Sequence, residues 1–310
     1  MPTSYYSHGK LLITGEYAVL DGALSLALPT KYGQSLEIGT QPIPDLLEWH
    51  SLDYSGEVWF RAQIRIDAIF GKLSASVSKA SNTSTTNTLL SVLNAAIHLN
   101  PSFIHKLRGK RVITRLEFPS DWGLGSSSTF INNIAQWAGI NAYELLWKGF
   151  VGSGYDIACA QSDTPITYEV ADKTPKVTPV IFNPNFKNQL FFIHLNKKQN
   201  SREGIARYQQ LEIDKKELKT KIDPITQAIC QAESLAVFEK LIEKHEQIIG
   251  DTLKLTAVKE LLFSDYSGAI KSLGAWGGDF ILATGNKEFV FDYFQDKGFH
   301  TILAYSEIIL

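Results

Sequence analysis

The sequence predicts an α+β protein with two domains. A chain of 310 residues is long enough for two domains of ordinary size. The first half opens with several β-prone runs, and the second half alternates strands and helices in the order β-α-β-β-α-β when its first helices are grouped as one layer. That order is typical of a ferredoxin-like domain. We expect one domain over residues 1–170 and a second over residues 171–310.

The elements of the first half follow from apolar patterning and from turn residues. Apolar or alternating runs predict strands, and longer apolar patterns that end at Gly or Asn-Pro predict helices. Residues 74–87 are rich in Ser, Thr and Asn, which predicts a loop, either a lid over a ligand or an ordinary surface loop. The predicted strands are residues 11–13, 24–28, 34–38, 58–66 and 112–118, and the predicted helices are residues 88–99, 130–138 and 142–147.

The second half begins after a stretch rich in Pro, Thr and Lys at residues 164–184, where we place the domain boundary. Short β-prone runs then alternate with longer helical patterns. The predicted strands are residues 190–195, 268–272, 280–283 and 301–304, and the predicted helices are residues 202–211, 223–236, 238–250 and 287–295.

Composition narrows the class of protein. The formal net charge is −2, so no basic surplus indicates nucleic acid or an anionic membrane as a partner. The two cysteines, Cys159 and Cys230, lie in apolar surroundings and are expected to be free thiols in a reducing compartment. We expect a cytoplasmic protein, because the sequence has neither a signal-peptide layout nor an apolar run long enough to span a bilayer.

The strongest local signal is the string GLGSSS at residues 123–128, between a predicted strand and a predicted helix. Glycines at 123 and 125 can adopt positive φ and let an anion approach the main chain, where several N–H groups at a helix start point the same way. A serine there can cap the helix or bind a metal ion. The alternative is an ordinary strand-to-helix turn.

Four segments together resemble the motifs of the GHMP small-molecule kinases, the superfamily of galactokinase, homoserine kinase, mevalonate kinase and phosphomevalonate kinase. They are GKLLITGEYAVLDG at residues 9–22, similar to the family's first motif, GLGSSS at 123–128, similar to its phosphate loop and here called the second motif, GSGYDIA at 152–158, similar to its catalytic-aspartate segment, and GAWGGD at 274–279, similar to its third motif. The four matches occur in the family's order and span most of the chain. The first looks most like the opening of mevalonate and phosphomevalonate kinases.

The resemblance implies a ribosomal protein S5 domain 2-like N-terminal half, a ferredoxin-like C-terminal half, and ATP and Mg²⁺ as cofactors. The implied activity is phosphoryl transfer to a small-molecule acceptor, 5-phosphomevalonate or mevalonate. Two alternatives stay open: an enzyme like diphosphomevalonate decarboxylase, and an inactive relative that binds a nucleotide or metabolite. The resemblance also allows a homodimer, and the sequence leaves the oligomeric state open.

The resemblance assigns roles to individual residues. Asp156 would orient or deprotonate the acceptor hydroxyl, and Lys10 would stabilise charge on that hydroxyl or on the γ-phosphate. Mg²⁺ would bind Ser127, or Ser126 in its place, and Glu144. In simpler readings Asp156 caps a helix, Lys10 is solvated and Glu144 is an exposed helix residue. The expected nucleotide contacts are Gly123, Leu124, Gly125, Ser126, Ser127 and Ser128.

A further set of residues is expected at the acceptor. Glu16 lies within the first motif, where the resemblance to mevalonate-type kinases implies an acidic residue beside the active-site lysine, although a buried partner for Lys10 explains it equally well. The cations near residue 200 would suit a second phosphate on the acceptor, although a solvated helix start is the simpler explanation. The expected acceptor contacts are Glu16, Ser153, Gly154, Lys197, Ser201, Arg202, Gly277 and Gly278.

The most serious departure from the family pattern is a tryptophan. Trp276 stands where the family usually has glycine, in a loop expected to approach the reacting phosphate. Its indole could narrow the acceptor pocket, stack on a ligand or face away from the loop.

Overall fold

The computed structural model describes residues 3–67, 72–75 and 82–310. Its contacts divide the chain into two compact units, each described by itself below. The first unit comprises Met1–Gly9, Tyr32–Ser120 and Gly125–Gln161, and the second comprises Lys10–Lys31, Asp121–Leu124 and Ser162–Leu310. The division into domains after residue 170 stays a prediction.

The strands and helices have the following bounds. The strands are β1 (Thr3–Leu12), β2 (Ser25–Thr40), β3 (Leu46–Leu52), β4 (Val58–Asp67), β5 (Lys72–Ala75), β6 (Lys110–Leu116), β7 (Ile166–Ala171), β8 (Thr174–Pro179), β9 (Leu190–His194), β10 (Ile270–Ser272), β11 (Phe280–Thr284) and β12 (Ile302–Ala304). The helices are α1 (Thr83–Leu99), α2 (Phe103–Leu107), α3 (Ser126–Ala138), α4 (Ala142–Gly149), α5 (Tyr155–Ala160), α6 (Ser201–Gln209), α7 (Lys215–Cys230), α8 (Leu235–Leu253), α9 (Val258–Leu262), α10 (Lys287–Asp296) and α11 (Tyr305–Ile308).

The first unit contains a sheet with the strand order β5-β4-β3-β6-β2, in which β3 and β6 run parallel and the other neighbours are antiparallel. Alternate residues of β4, including Phe60 and Ile64, are buried, as the period-2 pattern of that run predicts. Helix α3 packs against α1, α4 and α5. Trp49 of β3 meets Phe130 of α3 edge to face, so the sheet and this helix share one core.

The second unit contains a four-stranded antiparallel sheet in the order β10-β11-β9-β12. In chain order these are the second, third, first and fourth strands, which is the ferredoxin-like arrangement that the sequence predicts. Apolar side chains of β9, β10 and β11 pack with α9 and α10 into one buried cluster. The start of β2 pairs with β7, and β7 pairs with β8.

Two expectations about the first half need correction. The strands predicted at residues 24–28 and 34–38 are one continuous strand, β2, which runs through Pro29 without a break. Pro29 lies between residues 25–27, which pair with β7, and residues 34–40, which pair with β6, so neither of these two pairings needs its missing N–H. Strand β3 was not predicted.

Helix α1 begins at Thr83, five residues before its predicted start, because Asn82 caps it. The Asn82 side chain accepts hydrogen bonds from the backbone N–H groups of Ser84 and Thr85. The Ser/Thr-rich residues 83–87 are therefore a helix start rather than a loop. The part of the predicted loop at residues 76–81 lies outside the described residues.

Two further differences fall in the second half. The Pro/Thr/Lys-rich stretch around the predicted boundary holds the hairpin of β7 and β8. Helix α7 begins at Lys215, eight residues before its predicted start, and continues through Pro224. Its early turns were missed because they are mostly polar, with Leu218 and Ile222 supplying the buried face.

The aromatic core of the second unit gives a stability prediction. Phe263 is fully buried, and its ring lies 5.0 Å from that of Phe294 and 5.3 Å from that of Phe299. We expect Phe263→Ala to lower the free energy of unfolding by about 3–5 kcal/mol, since it removes these contacts and leaves a cavity. Leu261 is 63% exposed, so Leu261→Ala is the matched control, with an expected change within about 0.5 kcal/mol. Chemical denaturation measures both, and equal effects would contradict this packing.

Candidate functional site

The turn before α3 has the backbone geometry of an anion cradle. Gly123 has φ +66° and Gly125 has φ +91°, both in the left-handed region that glycine adopts without strain. Gly125 is the N-cap of α3, and no side chain caps this helix. The backbone N–H groups of the first turn therefore lack the partner that a capping side chain would supply. Together with the helix dipole they favour a bound anion at this end of α3.

The hydroxyl groups of this helix start divide into two kinds. Ser128 is buried and its Oγ donates to the Gly125 carbonyl at 2.8 Å, while Thr129 Oγ1 donates to Gln34 at 2.7 Å. Ser127 is exposed and Ser126 is half-buried. In the described part of the chain neither of these two hydroxyls is hydrogen-bonded to protein, so both remain available for a ligand.

A buried polar network holds α3 in place within the first unit. Asn132 donates to Ser7 at 2.9 Å and accepts from Gln161 at 2.8 Å, and Asn133 donates to the carbonyl of Gln34 at 2.8 Å. These amides link α3 to β1, to β2 and to the residue that ends α5. The sequence reasoning missed them, although two adjacent asparagines inside an apolar helix were a usable signal.

The same unit carries Asp156 and its neighbours. Gly154 has φ +93° and precedes α5, and Ser153 is buried. Asp156 lies in the first turn of α5, where its Oδ1 accepts from the N–H of Ile157 at 3.1 Å. Burial raises the pKa of Tyr143, and the charge of Asp156 acts in the same direction. Because α5 and α3 pack together, Asp156 and the α3 start belong to one helical layer.

The donors proposed for Mg²⁺ fit that ion by their chemistry. Glu144 is exposed in the first turn of α4, just after the C-terminal end of α3, whereas Ser127 lies in the first turn of α3. A carboxylate and a hydroxyl are hard oxygen donors of the kind that Mg²⁺ takes together with phosphate oxygens and water. The described residues contain no group of three or more His, Cys, Asp or Glu side chains arranged to hold a metal by themselves. The joint role of Ser127 and Glu144 at Mg²⁺, shared with a phosphorylated ligand, stays a prediction.

Lys10 is bound to the glycine turn within the second unit. Its Nζ donates to the Gly123 carbonyl at 2.7 Å, and its backbone N donates to the Leu124 carbonyl at 3.0 Å. The side chain is half-buried rather than fully solvated. The structure thus brings the first and second motifs together. The turn is also anchored at its start, where Trp122 packs edge to face on Phe280 of β11.

The third motif reaches the same turn through Asp279, which the sequence reasoning did not select. A Cβ atom at position 123 would overlap the Asp279 carboxylate, so only glycine fits there. Asp279 is buried, has φ +53°, and accepts from the backbone N of Gln199 at 3.0 Å. The available signal was a carboxylate at the end of a glycine-rich string.

The remaining residues of the third motif contact the segment that follows β9. A Cβ at Gly278 would lie 2.9 Å from the Lys197 carbonyl oxygen, so this glycine allows the two segments to pack closely. The side chains of Lys197, Ser201 and Arg202 are exposed. Ser201 begins α6, whose cap is Asn200. The acceptor roles of Gly277, Gly278 and these three residues stay predictions.

Trp276 is buried rather than presented to a ligand. Its indole packs in a cluster of the second unit that includes Tyr17, Tyr208 and Ile249. Its Nε1 is buried and makes no hydrogen bond within the described residues. Of the three orientations considered from the sequence, the structure has the indole turned into the core.

Glu16 lies in a buried ionic cluster, and its partner is Lys271 rather than Lys10. Lys271 is fully buried, contacts Glu16 Oε1 and lies 3.7 Å from Glu246 Oε2. The Nε2 atom of His245 accepts from the backbone N of Gly15 at 2.9 Å. Burial raises the pKa of Glu16 to about 7 and also raises that of Glu246, although the Lys271 ammonium opposes both shifts. Burial and the Lys271 charge lower the pKa of His245.

With this geometry established, comparisons with known proteins place the fold. No family model and no curated protein sequence matches the chain. Solved structures do match. Streptococcus pneumoniae phosphomevalonate kinase, in complex with phosphomevalonate and AMPPNP, superposes with a TM-score of 0.70 at 17% identity, over 97% of this chain and 99% of that one. The chain has the GHMP kinase fold.

Two other solved structures with the GHMP fold show how wide the likeness is. Methanococcus jannaschii mevalonate kinase matches with a TM-score of 0.67 at 15% identity, over 98% of both chains. Lactococcus lactis galactokinase, complexed with galactose, matches with a TM-score of 0.66 at 12% identity, over 98% of this chain and 92% of that one. No described helix combines the length and apolar character needed to cross a membrane.

The buried cluster gives a pH prediction. A carboxyl whose pKa is higher in the folded than in the unfolded protein stabilises the fold at pH below about 4.5, and this stabilisation is lost as the pH rises through about 7. We therefore expect the difference in unfolding free energy between Glu16→Gln and the unsubstituted protein to change in favour of the variant as the pH rises from 5 to 8. The expected change is on the order of 2 kcal/mol. Denaturant unfolding across this pH range measures the difference.

The control for this prediction is Glu243→Gln, on the same helix as Glu246. The Glu243 side chain is half exposed and pairs with Lys259 at 3.4 Å. Its difference from the unsubstituted protein should stay constant between pH 5 and pH 8. A constant difference for Glu16→Gln as well would show that Glu16 titrates normally.

Proposed function

We propose that the chain is an Mg²⁺- and ATP-dependent kinase that transfers the γ-phosphoryl group to a small mevalonate-type acceptor, 5-phosphomevalonate or mevalonate. One observation carries the proposal. In a chain with the GHMP fold, the turn at Gly123 and Gly125 leads into an α3 start that no side chain caps, and Lys10 is bound to that turn. Backbone N–H groups held in this way suit a triphosphate.

Phosphoryl transfer asks the protein for charge neutralisation and for positioning of the acceptor. The N–H groups of residues 125–128 would hold phosphate oxygens, and the Lys10 ammonium would stabilise charge that develops on the transferred group or on the acceptor oxygen. An Mg²⁺ ion held by Ser127 and Glu144 would neutralise part of the phosphate charge. Asp156 would orient the attacking oxygen, which is a hydroxyl in mevalonate and a phosphate oxygen in 5-phosphomevalonate, and would accept its proton where that oxygen carries one.

The acceptor class rests on the cations that follow β9. Lys197 and Arg202 have exposed side chains. An acceptor that already carries a phosphate needs such cations, which favours 5-phosphomevalonate over mevalonate. Because the fold is also similar to that of a galactokinase, a sugar is the acceptor to compare with mevalonate and 5-phosphomevalonate.

Two other readings are separable by experiment. An enzyme like diphosphomevalonate decarboxylase would release carbon dioxide, which a kinase does not. The other reading is an inactive binding relative, in which Trp276 and the short helical segment between Ser128 and Asp156 have ended catalysis. The indole of Trp276 is buried in the core, so Trp276 itself gives no reason to expect lost catalysis.

Asp156→Asn tests the catalytic assignment. The amide keeps an oxygen that can accept from the N–H of Ile157, so the helix start is preserved while the base is lost. We expect turnover of the true acceptor to fall by about 10²- to 10⁴-fold, with nucleotide affinity little changed. The measurement is ATP consumption with mevalonate, 5-phosphomevalonate, galactose and homoserine, and calorimetry for nucleotide binding.

Asp292→Asn, at an exposed position of α10, is the control and should retain full turnover. Retained turnover in Asp156→Asn would remove Asp156 from its role. ATP binding by the unsubstituted protein without turnover of any acceptor would support the binding-protein reading instead.

Lys197→Met and Arg202→Met test the acceptor assignment. Each change removes a cation, and we expect it to raise the KM for 5-phosphomevalonate about tenfold while the KM for ATP stays within about twofold. Lys216→Met, at an exposed lysine of α7, is the matched control. Steady-state kinetics at fixed ionic strength measure all three. An unchanged acceptor KM in both variants would exclude this segment as the phosphate site.

A further inference from the structure

We propose that Asp279 is a positioning residue that fixes the glycine turn at Gly123 and ties it to the segment at residues 197–199. The inference rests on the proposed function, because the turn is the predicted phosphate-binding element and the segment borders the predicted acceptor cations. It assigns a role to a carboxylate that need not touch either ligand.

Within the second unit, Asp279 contacts both the segment at residues 197–199 and the turn at Gly123. Its backbone N donates to the Lys197 carbonyl at 2.7 Å, and its Oδ1 accepts from the backbone N of Gln199 at 3.0 Å. The same carboxylate stands where a Cβ of Gly123 would be. One buried side chain therefore meets both segments, and neither can shift without displacing it.

The segment at residues 197–199 is held against the third motif by more than Asp279. Gln199 Nε2 donates to the Trp276 carbonyl at 3.0 Å, and the Cβ position of Gly278 lies 2.9 Å from Gln199 Cβ. The indole of Trp276 is in turn fixed in the core. The segment is thus a rigid support, and Asp279 is its contact with the turn.

The turn is held from a second side by Lys10. The carbonyls of Gly123 and Leu124 accept from the side chain and the backbone of Lys10. In a trans peptide the N–H points opposite to the C=O, so the N–H groups of Leu124 and Gly125 face away from these Lys10 atoms. With Asp279 against the Cα of Gly123, the peptide planes that present N–H groups to a ligand have little freedom to rotate.

The residue type at 279 follows from its backbone. Asp279 has φ +53°, a conformation that Asn and Asp tolerate better than other non-glycine residues. Asparagine would keep this conformation, the acceptor for the Gln199 N–H and the volume against Gly123. Alanine would keep none of the three. If Asp279 acts by position, asparagine should preserve its effect and alanine should not.

The test is a double-mutant cycle on nucleotide affinity with Gly123→Ala and Asp279→Ala, measured by calorimetry with Mg·ATP in the absence of acceptor. Each single variant should weaken binding at least about tenfold. The double variant should bind clearly better than the product of the two single effects, because removing the carboxylate makes room for the new Cβ. Multiplicative effects would show that the two residues do not contact each other.

Asp279→Asn and Asp223→Ala complete the design. Asp279→Asn should keep nucleotide affinity and the KM for acceptor within about threefold of the unsubstituted values, and equal damage from asparagine and alanine would overturn the positioning role. Asp223 Oδ1 accepts a hydrogen bond from the backbone N of Leu24 at 2.7 Å in the same unit. Asp223→Ala should therefore lower Tm without weakening nucleotide binding. Asp279→Ala that behaves like Asp223→Ala would reduce Asp279 to a structural residue.

Failure of the proposed function gives a different result. In that case the unsubstituted protein itself binds no nucleotide. The same cycle read by thermal unfolding without ligand then decides the contact alone: Gly123→Ala should lower Tm less in the Asp279→Ala background than in the unsubstituted one.

Discussion

The constraint on which the account depends is the conformation of the turn before α3. Gly123 and Gly125 occupy the left-handed region, and the position at 123 accepts no Cβ because the Asp279 carboxylate fills that space. Lys10 binds the two carbonyls of this turn. The helix that follows has no side-chain cap, so its first N–H groups are held ready for an anion. Without this constraint, the peptide groups of Gly123 and Leu124 would lose their fixed directions.

The second unit contains a cluster of buried charged and polar side chains close to the loop after β1. Glu16, Lys271, Glu246 and His245 are withdrawn from water around the end of the first motif. Such clusters add little net stability, since desolvation offsets the ionic attraction, but removing one partner leaves an uncompensated charge. We interpret the cluster as a means of fixing the loop after β1, on which Gly15 and Glu16 lie, in one arrangement.

Much of this organisation could be predicted from the sequence. The glycines at 123 and 125, the ferredoxin-like order of the last strands and the helices at 130–138 and 142–147 follow from local patterns, and the structure confirms them. Two expectations failed: the Ser and Thr residues after Asn82 form a helix start, and Pro29 lies between the residues of β2 that pair with β7 and those that pair with β6. These features depend on a cap or on strand neighbours that composition alone does not identify.

The site was harder to predict where it depends on distant partners. The pairing of Glu16 with Lys271 joins residues 255 positions apart, and the contact of Asp279 with Gly123 is set by the tertiary fold. Neither partner carries a local pattern that names the other. The motif residues could be selected one by one, but the side chains that hold them in place required the structure.

The most direct test of the central claim is a crystal structure of the chain with a non-hydrolysable ATP analogue and Mg²⁺. The account predicts phosphate oxygens within hydrogen-bonding distance of the backbone nitrogens of residues 125–128, with Gly123 and Asp279 still in contact. An analogue bound with its phosphates away from this turn would contradict the account.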